Sequence, residues 1–385
     1  MKFGKVILVA VSASAFVFSL AGTAAAHGRG GVDLRRNGVF VLGNDAEVNS
    51  VISFALKAGE LTQMQTVETA GKGGAGGNQG GLALDQERGL LFAVNAGSDT
   101  ISTFEIGARS LELDGVTGAE GAGPMSLATC TQAGHRGKTL VYVLNEGSRS
   151  IAGFELDRRS RLKFLPGSVQ SISASTSAAA QILFDNSCSA VVVVERNAAS
   201  FMIYAVGRDG VARTGKNVPS LSAGQLGSAI TRNNQLFVSE TGTSAASTFG
   251  LDLRSSNVRP ITQTLANGQA GSCWAVATRR TFRCDGWRHD CTMGYVMNAG
   301  TANITSYAIK ANGQLSLREP VAQATMGGAF DGALADDDRF LLAQSRVSTE
   351  ERALNLYSVE KDGSLEYVQV VDGLPATINS VAAIN

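Results

Sequence analysis

The sequence predicts an all-β fold, a seven-bladed β-propeller with four-stranded blades, closed by the C-terminal strand joining the first blade. Three observations carry this reading. An aromatic residue recurs in one strand context at Phe54, Phe104, Phe154, Tyr204, Phe249, Tyr307 and Tyr357, at spacings of 50, 50, 50, 45, 58 and 50 residues. A small-residue apolar run recurs as often, reading GGLALD, MSLAT, QILFD, SAIT, CWAVAT, GALAD and SVAAIN. The composition, with 45 glycines, 6 prolines and 44% hydrophobic residues, suits short strands joined by tight turns.

The chain opens on a processing signal. Lys2 and Lys5 precede an apolar stretch over residues 6–20, and Ala24, Ala25 and Ala26 supply a small-residue cleavage pattern. Residues 1–26 are therefore expected to be a signal peptide, 27–37 a flexible tail and 38–385 the propeller. A transmembrane anchor is the competing reading, but no second hydrophobic run approaches the roughly 20 residues that span a bilayer. Removing 26 residues from 385 leaves 359, or about 51 for each of seven blades, within the propeller range.

Within each unit an apolar run such as LLFAVN (90–95) or LVYVLN (140–145) precedes a polar turn, then the strand carrying the aromatic. Next comes a tight turn, as at Asp209-Gly210, Asn312-Gly313 and Asp362-Gly363, where glycine supplies the positive φ of a short hairpin. A polar outer strand then leads into the small-residue run, which suits the crowded innermost position. The propeller begins with the second strand of a blade, VFVLGN (39–44), and ends with the small-residue strand at 380–385. The last strand can thus complete the first blade and cover an edge that would otherwise be exposed.

Export to an oxidising compartment, secreted or periplasmic, sets the reading of the five cysteines. Cys284 and Cys291 flank a hydrophilic insert, and a local disulfide there is the first choice over a zinc site with His289, which lacks a fourth ligand at standard spacing. Cys130 and Cys188 occupy comparable connections of adjacent repeats and are the second expected pair. Cys273 remains as a buried thiol. Lysine plus arginine and aspartate plus glutamate number 33 each, so no net field attracts nucleic acid or an anionic membrane. The expected partner is a small-molecule ligand or another protein, with no stable membrane insertion, no metal and no cofactor, and the chain is read as a monomer.

The aligned ends of the second strands place Asn95, Asn145, Glu195, Glu240, Asn298 and Gln344 in one register. Two readings stand side by side. Such residues fix the turn that follows them, or they form a ring at a channel mouth. In the second reading Glu195 or Glu240 acts as base, Arg196 stabilises developing negative charge, and Asn95, Asn145, Asn298 and Gln344 bind ligand. Asp331, Asn379 and Trp274 lie on or beside inner strands and are further candidates for the channel wall, with core packing the alternative for Trp274. The glycine-rich run at 71–81 lacks the ending of a phosphate-binding loop. Asp336, Asp337 and Asp338 lack calcium-loop spacing and read as a solvated turn.

The blade text NAGSDTISTFEI (95–106), NEGSRSIAGFEL (145–156) and NAGTANITSYAI (298–309) resembles the lactonase-type seven-bladed propellers, which include 6-phosphogluconolactonases and carboxymuconate cyclising enzymes. The resemblance covers residues 38–385 and implies hydrolysis or cyclisation of a small polar lactone or related acid. It also implies a histidine where a small-residue strand meets the channel. The corresponding text here is Pro124-Met125-Ser126 and Ala179-Ala180-Gln181, and the histidines are His27, His135 and His289, none of them in such a strand. A non-catalytic ligand- or protein-binding propeller is accordingly the alternative function.

Overall fold

A computed structural model describes residues 32–385 except 75–79, 132–137, 174–177, 221, 223, 253–256 and 285–289. The expected signal peptide, and with it His27, His135 and His289, lie outside the described residues. Within the segment expected as a tail, Leu34–Asn37 forms one helical turn capped by the Asp33 side chain, and Leu34 is buried.

Seven antiparallel sheets follow in chain order. Their innermost strands are Ser380–Ala383 in blade 1, then Leu82–Asp85, Pro124–Thr131, Ala179–Phe184, Gln225–Ile230, Ser272–Ala277 and Gly328–Ala335 in blades 2 to 7. Each innermost strand contacts those of the two adjacent blades, so the ring is closed. These are the seven small-residue runs, because crowding where seven strands converge favours small side chains. Two blades carry a short extra strand, Gln170–Ser171 in blade 3 and Phe282–Arg283 in blade 6.

Closure is made by the pairing expected from the phase of the chain. Ser380–Ala383 runs antiparallel to Gly38–Leu42, with Leu42 opposite Ser380, Val41 opposite Val381 and Val39 opposite Ala383. One sheet therefore contains strands from both ends of the propeller. Its backbone groups satisfy each other, and the inner edge of Gly38–Leu42 is paired.

The seven aromatics all lie on third strands and all are buried. Three of them are tyrosines for a specific reason. The hydroxyls of Tyr204, Tyr307 and Tyr357 donate to the carbonyls of Ser171, Leu265 and Ala324, each on the outer part of the preceding blade. Tyr142 and Tyr295 on second strands reach the other way, donating to Gly210 and Gly363 in the hairpins of the following blades. Those hairpin glycines have φ of 83° and 84°, the left-handed conformation their Asp-Gly sequences predict. Edge-to-face ring pairs join neighbouring blades as well, with centroids 5.0 Å apart for Phe201 and Phe249 and 6.0 Å for Phe237 and Tyr307.

Two disulfides form as expected, Cys130–Cys188 and Cys284–Cys291. The first joins the inner strand of blade 3 to the turn after the inner strand of blade 4. The second closes a seven-residue separation and uses both thiols that the zinc alternative required. Cys273, expected to be buried, is half-buried and stays outside both bridges.

Truncating a fully buried ring leaves a cavity, whereas removing one hydroxyl leaves a single carbonyl without its donor. Phe104→Ala is thus expected to destabilise by about 3–5 kcal/mol and Tyr295→Phe by about 1–2 kcal/mol, measured by chemical denaturation. Equal losses would contradict this division between packing and tethering.

Candidate functional site

The register of strand-end polar residues lies at the channel face where the inner strands begin, and all six residues are buried. Three of them, Asn145, Glu195 and Asn298, clasp the chain leaving the preceding blade, and Asn95 reaches the turn before the third strand of blade 1. Asn145 Nδ2 donates to the carbonyl of Ala119, and Glu195 Oε1 accepts from the backbone N–H of Ser173. Asn298 Oδ1 accepts from Asn267 Nδ2, and Asn95 Oδ1 accepts from Asn49 Nδ2. Within their own blades, Glu195 Oε2 accepts from Ser200 Oγ, while the Glu240 carboxylate accepts from Thr243 and Ser247. A carboxylate held by such donors is a strong turn-fixing group. Arg196 is exposed at this rim, and its backbone N–H and carbonyl bond Ala178 and Gly224. Gln344 is the exception among the six, since neither amide atom has a partner among the described residues.

One level along the inner strands, a hydrogen bond crosses every blade junction. Gly81 N–H donates to Ser380 Oγ (blades 2 and 1), Leu127 N–H to Gly80 O (3 and 2), and Ile182 N–H to Ser126 Oγ (4 and 3). Ser228 N–H donates to Gln181 Oε1 (5 and 4), Ser239 Oγ to Cys273 O (5 and 6), and Trp274 Nε1 to Gly332 O (6 and 7). Ser380 bonds the Asp331 carboxyl and completes the circuit (1 and 7). Trp274 and Asp331 are thereby built into the wall, and Trp274 also packs in the core. Ser126 stands where the resemblance implies a channel histidine, and its hydroxyl is committed to the neighbouring blade. Asp331 sits fully inside, and burial raises its pKa well above the usual carboxylate range.

The opposite mouth, where the inner strands end, opens into a cavity of about 940 Å³. Its inner-strand lining is largely apolar, from Leu84, Leu183, Phe184 and Ile230 with Thr129 and Thr131 among them, and its rim is polar, with Gln86, Glu87, Asn186, Arg232, Arg279 and Asn385. Some rim groups are committed to the scaffold. Asp85 accepts from Thr139 Oγ1 at 2.7 Å and pairs with Arg88 at 3.1 Å. Asp185 caps its turn through the N–H groups of Ser187 and Ala190, and Asn186 Nδ2 reaches the carbonyl of Thr231 in the next blade. The Cys130–Cys188 bridge braces the same wall. The side chains of Arg232, Arg279 and Glu87 are different: all three are exposed, and none has a partner among the described residues. Two cations and a carboxylate over a largely apolar lining can receive a small polar anion.

These rim residues were missed in the sequence, although a signal exists. Gln86, Cys130, Asn186, Arg232 and Arg279 each stand at the end of a small-residue run, within one residue of its close. A register read one step beyond those runs locates the cavity. The turn at 336–338 also departs from the solvated reading, because Asp338 is buried at 2% exposure while Asp337 is exposed.

The family model for the seven-bladed β-propeller lactonases matches residues 40–161 and 82–276. The chain belongs to this lactonase family. A protein from Lactobacillus plantarum of matching fold is 16% identical, with a TM-score of 0.67 over 90% of this chain and 98% of its own. A candidate 6-phosphogluconolactonase from Bacteroides fragilis is 13% identical, with a TM-score of 0.68 over 91% and 98%. The periplasmic gluconolactonase of Pseudomonas aeruginosa is 13% identical, with a TM-score of 0.66 over 90% and 98%. At these identities the likeness is one of fold. No curated protein sequence matches the chain. No helix among the described residues is long and apolar enough to cross a membrane.

Within this lactonase fold, Asp331 makes stability depend on pH. Its folded pKa lies above that of the unfolded chain, so its contribution is fully present below about pH 4 and is lost as pH rises through the folded value. Asp331→Asn is expected to raise the melting temperature at pH 8 and to change it least at pH 4. A gain of the same size at both pH values would remove Asp331 ionisation as the cause.

Proposed function

We propose that the protein is an exported lactonase-like hydrolase that opens a small, polar, anionic lactone at the channel mouth lined by Arg232, Arg279 and Glu87. The observation that carries this reading is the pair of arginines and the glutamate, unpartnered among the described residues, over the largely apolar lining of a 940 Å³ cavity. Family membership supports lactone chemistry, and two structural relatives are described as a candidate 6-phosphogluconolactonase and a periplasmic gluconolactonase. The two disulfides, and the periplasmic location in the name of the Pseudomonas aeruginosa protein, support export.

The chemistry follows from those groups. Glu87 takes a proton from water as the oxygen attacks the lactone carbonyl carbon. The carbonyl oxygen becomes negatively charged, and a guanidinium stabilises it. The ring carbon–oxygen bond then breaks, the departing alkoxide takes the proton back from Glu87, and the hydroxy acid leaves. The sugar-like remainder packs on Phe184 and the aliphatic part of the lining, and its hydroxyls meet Gln86, Asn186 and Asn385. In this reading Glu195 and Glu240 fix turns at the other face.

Hydrolysis of glucono-δ-lactone and of its 6-phosphate, followed by acid release, tests the assignment. Arg232→Ala and Arg279→Ala are expected to lower kcat/KM for the phosphorylated lactone about tenfold or more, and Glu87→Gln to lower kcat about 100-fold. Glu195→Gln and Glu240→Gln are expected to retain activity in the folded protein. Full activity in all three cavity variants, with loss in the Glu195 and Glu240 variants, would move the reaction to the other mouth.

A further inference from the structure

We propose that Asp338 is a positioning residue for this mouth, holding Arg279 of blade 6 and Asn385 of blade 1 in the cavity wall while standing outside the cavity itself. The inference rests on the reading of the mouth as an anion-binding lactone site. Both carboxylate oxygens are used. Oδ2 accepts from the backbone N–H of Arg279 at 2.6 Å and of Arg280 at 2.7 Å. Oδ1 accepts from Asn385 Nδ2 at 2.7 Å, and the Asp338 N–H donates back to Asn385 Oδ1 at 2.6 Å. Four hydrogen bonds, three accepted by the carboxylate and one donated by the backbone N–H, thus tie the inner-strand ends of blades 6, 7 and 1 through one residue at 2% exposure.

The two adjacent arginines are given different tasks by this arrangement. Arg280 is folded back, its guanidinium donating to the carbonyls of Asp338 and Val359 and lying 4.7 Å over the Phe282 ring. Arg279 is left to the cavity. A long, flexible side chain recognises an anion well only when its backbone is fixed, because less freedom is then lost on binding. The backbone on the Asp338 side is itself held in an unusual state. Asp336, Asp337 and Asp338 have φ of 57°, 53° and 57°, three consecutive non-glycine residues in a conformation that L-residues normally adopt singly. The bonds to Arg279, Arg280 and Asn385 hold that turn together with those from Asp336 N–H to the Ile384 carbonyl and from Arg339 to Asp336, so the turn and the arginine are set together.

Titration calorimetry with 6-phosphogluconate as the probe tests the role, with the melting temperature recorded for each variant. Wild type is expected to bind saturably, and Arg279→Ala and Asp338→Asn each to weaken binding about tenfold. Combining them is expected to weaken it by clearly less than the product of the two losses, because Asp338 acts largely through Arg279; a purely structural role would add in full. The exchange Asp338→Asn with Asn385→Asp restores complementary donors and acceptors, and is expected to return binding to within about twofold of wild type. If Asp338→Asn alone fails to fold, the exchange variant still decides, since failure to bind when folded overturns the proposal. No binding by wild type, or unchanged binding by Arg279→Ala, would overturn the reading of the mouth. Weakening by Arg279→Ala with unchanged or additive behaviour of Asp338→Asn would overturn the positioning role alone.

Discussion

Everything in this molecule depends on the pairing of Ser380–Ala383 with Gly38–Leu42. Seven blades packed side by side still leave two ends, and an unpaired inner edge exposes a row of backbone donors and acceptors. Supplying the missing innermost strand from the far end of the chain converts a row of blades into a ring. Only then does the convergence of the inner strands create two mouths and a wall between them. The circuit of interblade bonds, from Ser380 to Gly81 at one end and Asp331 to Ser380 at the other, exists only because the ring is closed.

The two mouths divide the labour of the fold. At the face where inner strands begin, polar side chains are spent on joining blades: Asn145, Glu195 and Asn298 grip the outgoing chain, while Ser126 and Gln181 bridge neighbouring strands. At the face where inner strands end, many joints are instead made in the connecting turns, by Asn186, Asp338 and the Cys130–Cys188 bridge. That arrangement leaves Arg232, Arg279 and Glu87 available above a largely apolar lining.

The architecture was legible in the sequence because its cause is periodic. Phe54 to Tyr357 recur at one blade spacing, since each third strand needs the same buried ring, and the small-residue runs recur because all seven inner strands are equally crowded. Cys130 and Cys188 were legible from their equivalent places in adjacent repeats. The site was legible only in part. A glutamate at a strand end, such as Glu195, reads the same whether it faces a ligand or a neighbouring N–H, because the difference lies in a contact 22 residues away at Ser173. Arg232 and Arg279 sit in turns one step past the small-residue runs, where the repeat fixes the position but the residue type changes from blade to blade, so the register marks the place without marking the chemistry. Asp338 was hidden for a related reason: three consecutive aspartates look solvated until the chain end folds over one of them.

The Cys130–Cys188 bridge makes the seven junctions unequal. It ties blades 3 and 4 covalently across a separation of 58 residues, so that junction cannot part without reduction. The junction between blades 7 and 1 is held noncovalently among the described residues, and it contains the buried Asp331 carboxyl. Transient opening of the native ring is therefore expected on the far side from the disulfide, with amide hydrogens of Gly38–Leu42 exchanging with solvent sooner than those of blades 3 and 4.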